Sequence, residues 1–327
     1  MKIFISGVAG FIGMHMVLAY EGHTIVGVDN IQPYYDVKLK HERLAKCKDQ
    51  KGFTFIQADV CDEAKMRELF ARHQFDVIIH FGAQAGVRYS KKYPLEVFES
   101  NTMGFMVLAQ CALDYKVPTM IYASSSSVYG HVNVGPFHEG MDVDHPSSVY
   151  ALSKRANELS AQTLSMMGET TFIGCRFFSV IGPYGRPDMA YFKFAHAGAT
   201  QKAITVYGDG SMKRDFTSVF DVCDIIKRLV EVAPHCNTRH TIVNIGATRP
   251  ISVNTLIETL EKQLGITLIK TYEEASSIEV PLTHCDSTIL ESLIGPVHLT
   301  PFETSLEAFT TWFKEHKPYA YLDPFID

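Results

Sequence analysis

Lys2-Ile3-Phe4-Ile5-Ser6-Gly7-Val8-Ala9-Gly10-Phe11-Ile12-Gly13 reads as a buried β-strand running through a glycine turn into a helix. Gly7, Gly10 and Gly13 recur at every third position, where the backbone turns tightly and approaches a ligand closely. A helix that opens at such a turn offers unpaired N–H donors and a partial positive charge, which suits a pyrophosphate. Thr24-Ile25-Val26-Gly27-Val28-Asp29 is a second strand, and its closing carboxylate stands 22 residues after Gly7. A carboxylate at that spacing accepts hydrogen bonds from the ribose hydroxyls of a dinucleotide. It would repel a 2′-phosphate, and no Lys or Arg follows within several residues. The expected cofactor is therefore NAD rather than NADP.

The alternation continues downstream. Strands are expected at Phe53–Ile56, Asp76–His80, Thr119–Ala123 and Thr171–Phe178. Between them lie helices at Glu63–His73, Leu95–Tyr115 and Tyr150–Met167, the first with Met66, Leu69 and Phe70 at helical spacing. Strands alternating with helices indicate a parallel sheet covered on both faces, here with at least six strands. The first helix, Met14 to Tyr20 before the break at Glu21-Gly22-His23, has room for only about two turns. After Phe178 the pattern loosens into the loop Gly182-Pro183-Tyr184-Gly185-Arg186-Pro187 and the turn-rich segment Val206–Gly210. Phe220–Val232 reads as a helix and Thr241–Ile245 as a buried strand. Two amphipathic helices around one irregular stretch are expected after Pro250. The fold class is α/β: a doubly wound parallel (Rossmann) sheet with a smaller C-terminal α/β domain. Residues 1–178 with 218–247 are assigned to the first domain and 179–217 with 248–327 to the second.

Composition bounds the partners. The 327 residues are 46% hydrophobic and 20% charged, ordinary for a globular chain long enough to bury a sizeable core. A net charge of -6 argues against a nucleic-acid surface, though a small pocket can still be locally basic. No apolar run approaches membrane-spanning length, and Met1–Gly13 reads as a strand rather than a secretory leader. The cysteines are Cys47, Cys61, Cys111, Cys175, Cys223, Cys236 and Cys285. Scattered, odd in number and lacking a CxxC pair, they suggest reduced thiols in a cytoplasmic protein without a metal site.

Tyr150-Ala151-Leu152-Ser153-Lys154 places a phenol and an ammonium on one helix face. A free Tyr has a pKa of about 10 and is a poor base at neutral pH, but a nearby cation favours its phenolate. Ser124-Ser125-Ser126-Ser127 follows the strand at Thr119–Ala123, at the end of a parallel sheet where ligand crevices form. Hydroxyls there can hydrogen-bond a reacting oxygen.

These features resemble the extended short-chain dehydrogenase/reductases, and within them the nucleotide-sugar epimerases. Three blocks are similar to the UDP-glucuronate 4-epimerase family in particular: Gln84-Ala85-Gly86-Val87-Arg88-Tyr89-Ser90, Tyr122–Gly130, and Gly182–Met189. Asp29-Asn30 followed by Tyr34-Tyr35-Asp36-Val37 adds to the likeness. The resemblance implies that Ser125 is the catalytic Ser/Thr, Tyr150 the proton-transfer residue and Lys154 the ligand of the nicotinamide ribose. It implies dinucleotide contacts at Gly7, Gly10, Phe11, Ile12, Gly13, Asp29, Asn30, Asp59 and Val60. It places Arg214 near the substrate diphosphate, Ser179 and Arg186 at the sugar carboxylate, and Arg88, Ser126 and Ser127 along the substrate. The second domain is then the nucleotide-sugar-binding one, and a homodimer built on Leu95–Tyr115 and Tyr150–Met167 is expected. The chain departs from the pattern at Ser6 (usually Thr), Gly82 (usually Ala), Ser179 (Thr in the glucuronate enzymes) and Ser276-Ser277-Ile278-Glu279, where a Pro-Gly-Asp type of block is usual.

Related chemistries on this fold need further acid/base groups. The 4,6-dehydratases carry Thr-Asp-Glu where this chain has Ser125-Ser126-Ser127, and UDP-glucuronate decarboxylases typically carry Glu at the third position. A serine hydroxyl cannot do a carboxylate's proton transfer. The resemblance therefore implies NAD-dependent C4 epimerisation of a UDP-sugar, UDP-glucuronate to UDP-galacturonate first. The alternatives are a 4-epimerase of UDP-glucose or UDP-N-acetylglucosamine, then a dehydratase or decarboxylase, then a noncatalytic NAD-binding protein.

Overall fold

The computed structural model describes residues 1–132, 134–274, 280–320 and 322. Ser276–Glu279, one of the departures noted above, lies outside the described residues. The first half of the chain runs β1 (Lys2–Ser6), α1 (Phe11–Ala19), β2 (Thr24–Asp29), α2 (Val37–Lys48), β3 (Phe53–Gln57), α3 (Glu63–Arg72), β4 (Val77–His80), α4 (Val87–Lys92), α5 (Pro94–Asp114), β5 (Thr119–Ser125) and α6 (Val149–Ser165). The second half runs β6 (Thr171–Phe177), β7 (Ser179–Ile181), α7 (Ala190–Ala199), β8 (Ala203–Tyr207), β9 (Lys213–Ser218), α8 (Val219–Val232), β10 (His240–Ile245), β11 (Pro250–Ser252), α9 (Val253–Leu264), β12 (Ile269–Glu273), α10 (Thr288–Ile294) and α11 (Phe302–His316).

The central sheet has seven strands in the order β10-β6-β5-β4-β1-β2-β3, all parallel. The chain moves outward from β1 to β3, then returns to lay β4 on the other side of β1. Loops therefore splay apart at the C-terminal ends of β1 and β4, which opens a crevice there. Alternation along β1 shows why both faces are covered. Ile3 and Ile5 pack into one core with Met14, Leu39 and Leu229, while Phe4 packs into another with Val26, Phe105 and Leu164. The remaining strands form two small sheets, β11-β9-β7 and β12-β8. Aromatic rings of α7 and α11 join that lobe, with Tyr191 and Phe309 centroids 4.8 Å apart.

Several elements differ from expectation. Helix α1 starts at Phe11 rather than Met14 because Gly13 must pack within it: a Cβ there would lie 2.0 Å from the Gly7 carbonyl oxygen. Its shortness is as expected. Helix α2 was not foreseen, because charged residues interrupt its apolar spacing and two of them, Lys40 and Arg43, are buried. Among the described residues the tail from Pro250 holds β11, β12 and three α-helices rather than two helices around an irregular stretch.

One buried ion pair joins α6 to two strands. Glu158 accepts from Arg176 Nε (2.8 Å) and Nη2 (2.9 Å), and from the Ser124 hydroxyl (2.6 Å). Both charged side chains are at most 2% exposed, so neither can turn to water if its partner is lost. As counter-charge Glu158 would then keep only a longer contact, 3.3 Å, to the partly exposed Arg155, so Arg176→Leu should cost about 3 kcal/mol, the lower end of what breaking a buried pair costs. Urea unfolding would measure this, and a midpoint equal to wild type would contradict it.

Candidate active site

The crevice above the sheet encloses about 900 Å³. Every sequence-predicted site residue except Arg214 lines it: Gly7, Gly10, Phe11, Ile12, Gly13, Asp29, Asn30, Asp59, Val60, Arg88, Ser125, Ser126, Ser127, Tyr150, Lys154, Ser179 and Arg186. Arg214 lies on β9 opposite Ile251 of the small sheet, and its guanidinium donates to the Lys213 carbonyl at 2.9 Å. That placement does not bring it to the crevice.

One end of the crevice fits a dinucleotide. A Cβ on Gly7 would meet the Gly82 nitrogen at 2.8 Å, and one on Gly10 the Gly7 oxygen at 2.9 Å. Positions 7 and 10 therefore cannot carry side chains, and Gly10 at the N-cap offers none to the first-turn N–H groups of α1. Those donors would hold the pyrophosphate. Asp29 ends β2 with its carboxylate accepting from the Ala9 N–H (3.1 Å) and the Ile31 N–H (2.8 Å). No Lys or Arg follows Asp29 within several residues, but the fold returns one to it. Lys40 Nζ, brought back by α2, is 3.8 Å from Asp29 Oδ1. Eleven residues separate the two in sequence, too far for a local reading to pair them. On the far side, Asn30 donates to Asp59 at 2.9 Å, which joins the loops after β2 and β3. The departures Ser6 and Gly82 are neighbours: Ser6 Oγ accepts from the Gly82 N–H at 3.1 Å and lies 2.7 Å from His80 Nδ1. Burial depresses the His80 imidazole to about 3, so this bond is made by a neutral ring.

The other end holds Tyr150, Lys154 and the serines. Helix α6 is capped by Ser148, whose oxygen accepts from the Ala151 N–H, and this fixes the turn that bears Tyr150. Burial pushes the Tyr150 phenol above its usual value, while the Arg186 charge and the Ser125 hydroxyl pull it back. Lys154 Nζ stands 5.9 Å from the centre of the Tyr150 ring and donates to the Ala123 carbonyl at 2.9 Å. Burial lowers the Lys154 ammonium to about 8. The lysine is thus anchored to the end of β5, directly before the serines. Ser125 Oγ donates to Ser127 Oγ and accepts from the Ser127 N–H, both at 3.1 Å.

Arg186 is held more tightly than its sequence suggested. Its Nε donates to Asp188 Oδ1 at 3.0 Å and its Nη2 to Oδ2 at 2.5 Å, and Tyr34 donates to the same carboxylate at 3.0 Å. Burial works against ionisation of Asp188, but the Arg186 charge and these bonds hold its carboxyl below the usual range. Asp188 thus takes the Nε–Nη2 edge of Arg186, while the opposite edge carries the N–H groups of Nη1 and the second N–H of Nη2. Arg88 lies over the Tyr207 ring at 5.2 Å, which ties α4 to the smaller lobe. Sequence reasoning did not single out Lys40, Tyr34 or Asp188. Tyr34 and Asp188 stood inside quoted blocks, but nothing local indicated that they would meet.

The chain was compared with known proteins. The model of the NAD dependent epimerase/dehydratase family matches residues 3–246. Protein CapI of Staphylococcus aureus is 38% identical over 97% of this chain and 99% of its own length. The UDP-glucuronate 4-epimerase of Thermodesulfobacterium geofontis is 34% identical over 95% of this chain and 96% of its own. The crystal structure of UDP-glucuronic acid 4-epimerase from Bacillus cereus, in complex with UDP-glucuronic acid and NAD, superposes with a TM-score of 0.88. It is 27% identical and covers 97% of this chain and all of that one.

The ribose corner yields a binding prediction. NAD+ should bind the purified protein more tightly than NADP+. Asp29→Ala should weaken NAD+ by about 1.5–3 kcal/mol, the worth of a charged hydrogen bond. It should also narrow the preference, because the Lys40 ammonium then stands at that corner without its carboxylate. Titration with both dinucleotides decides this, and an unchanged NAD+/NADP+ ratio in the variant would assign the discrimination to other residues.

Proposed function

The chain belongs to the NAD dependent epimerase/dehydratase family, and we propose that it interconverts the C4 epimers of a UDP-sugar, with UDP-glucuronate and UDP-galacturonate as its preferred pair. The observation that carries this reading is the composition of one crevice. Tyr150, Lys154 and Ser125 line it together with Arg186, and positions 126 and 127 bring hydroxyls rather than carboxylates.

The glycine turn, Asp29 and Lys154 would hold NAD, which when bound would supply a hydride acceptor for C4 and then a hydride donor. The chain's own residues manage the proton. Tyr150 takes the O4 proton as the carbonyl forms and returns it when the sugar presents its other face. The Arg186 charge and the Ser125 hydroxyl both favour the phenolate this requires. Ser125 also supplies a hydroxyl to hydrogen-bond O4. Elimination of water would need a positioned acid at Ser126 or Ser127, and serine cannot serve as one. Arg186, through its Nη1/Nη2 edge, and Ser179 suit a C6 carboxylate. Holding that group matters, because a 4-keto glucuronate loses CO2 readily if its carboxylate swings into line with the ring carbonyl. The neutral UDP-hexoses are the competing substrates.

Two further features bear on assembly and location. Leu95, Met103 and Met106 of α5 and Leu152 and Leu159 of α6 are exposed, and the two helices pack side by side. A second copy covering these faces would form a four-helix bundle, which supports a homodimer. Among the described residues no helix is long and apolar enough to cross a membrane. The seven cysteines are free, which supports a reducing, cytoplasmic setting.

A panel of UDP-glucuronate, UDP-glucose and UDP-N-acetylglucosamine, with products resolved by chromatography and Tyr150→Phe as the inactive control, tests the substrate. UDP-glucuronate should turn over fastest, without net consumption of NAD+. Arg186→Ala should penalise only the acidic sugar, by about 1.5–3 kcal/mol in kcat/KM. Faster turnover of the neutral sugars, or an equal penalty on all three, would replace this reading with a general UDP-hexose 4-epimerase. For the assembly, sedimentation velocity should show a dimer that Leu159→Glu converts to monomer, and a monomeric wild type would remove the bundle.

A further inference from the structure

Helix α2 turns a guanidinium inward where a surface helix ordinarily turns an apolar side chain. Arg43 is fully buried, and all its hydrogen-bond acceptors are neutral oxygens. Nη1 donates to the Ala9 carbonyl at 3.1 Å and to the Tyr35 hydroxyl. Nε and Nη2 donate to the Tyr184 carbonyl at 3.0 and 2.7 Å, and Nη2 to the Gly185 carbonyl at 3.0 Å. The guanidinium also lies 5.3 Å from the centre of the Tyr35 ring. A buried charge with no opposing charge is a costly filler of space, so what it reaches is informative. Ala9 belongs to the glycine turn, and Tyr184 and Gly185 directly precede Arg186. The fork thus ties two segments 175 residues apart into one unit.

The tied loop does not hold its shape by local preference. Tyr184 has φ 56°, a left-handed conformation unfavourable for a bulky L-residue. Gly185 is pressed against α7, where a Cβ would come within 2.1 Å of the Tyr191 hydroxyl. A second bond from the cofactor side reinforces the loop: His15 Nε2, on α1, lies 2.9 Å from the Pro183 carbonyl. Burial lowers the His15 imidazole to about 4, so the ring is neutral at pH 7 and donates through Nε2 to that oxygen.

We propose that Arg43 is a positioning residue that holds loop 182–187, and Arg186 with it, in register with the dinucleotide cradle. The proposal rests on the reading that Arg186 takes part in sugar binding. Arg43 does not line the crevice and acts only through the carbonyls it holds. Its planar fork is essential, because the point charge of a lysine cannot serve two chain segments along fixed directions.

The test is a double-variant cycle on the NAD-loaded enzyme. UDP-glucuronate dissociation constants would be measured by calorimetry, with KM and kcat alongside, for wild type, Arg43→Lys, Arg186→Ala and the double variant. Arg43→Lys should weaken UDP-glucuronate by about tenfold through misplacement of Arg186. The double variant should then be no weaker than the worse single one, because both changes remove the same interaction. Multiplying effects, or a folded Arg43→Lys with unchanged affinity, would overturn the proposal. Should Arg43→Lys fail to fold, Tyr35→Phe loosens one arm of the fork while keeping the ring. It should weaken UDP-glucuronate in the same direction and again without additivity, and additivity there overturns the proposal equally. An Arg186→Ala that harms acidic and neutral sugars alike would sink the carboxylate reading while leaving non-additivity, and the positioning role, intact.

Discussion

The contact on which the rest of this structure depends is the approach of the Gly7 carbonyl to Gly13. The space a Cβ would need at Gly13 is already filled by that oxygen, which would lie only 2.0 Å away. This closeness lets α1 begin immediately after β1 and aim its uncapped N–H groups into the crevice. It also places Ala9 where Asp29 and Arg43 can each reach its backbone, one through the N–H and the other through the carbonyl. The cofactor end and the loop bearing Arg186 are then referred to the same few backbone atoms. A side chain at Gly13 would push α1 off the sheet and disturb both ends together.

The end of the crevice that holds Tyr150 is built by cross-links of a different kind. Tyr150, Lys154 and Glu158 recur every fourth residue of α6 and so share one face of it. Tyr150 lines the crevice, Lys154 grips the end of β5 through the Ala123 carbonyl, and Glu158 pins Ser124 and Arg176 of β5 and β6. One helix face thus supplies the phenol, an ammonium and the buried carboxylate that fixes the helix against the sheet. The serines follow at the end of the strand held in this way, so the distance from Ser125 to Tyr150 is set by packing beneath the site rather than by the loop itself.

Two of the cations that line the crevice stand beside carboxylates. Lys40 stands beside Asp29, and Arg186 is gripped by Asp188, which Tyr34 also holds. Each pair keeps a charged side chain oriented in a partly enclosed space and leaves little net charge behind. Tyr34 follows β2 and Asp188 follows β7, so this balance joins the cofactor side to the sugar side a second time.

The sequence by itself determined whatever depends on local periodicity and on short, stereotyped spacings. The parallel α/β alternation, the glycine turn, the carboxylate ending β2 and the Tyr150/Lys154 face were all legible, because each is a relation within about 22 residues or one helix. Family resemblance added the cofactor and the sugar-binding positions, and the crevice gathers all of these except Arg214. Only the tertiary structure decided the partners of charged residues far apart in the chain. Lys40 returns to Asp29, Asp188 occupies Arg186, and Arg43 ties Ala9 to Tyr184 and Gly185. Helix α2 was illegible for the same reason: two of its cations point inward, which breaks the rule that apolar spacing marks a buried face. Burial of a cation is settled by whether oxygens from distant segments converge on it, and no local pattern of residues records that convergence.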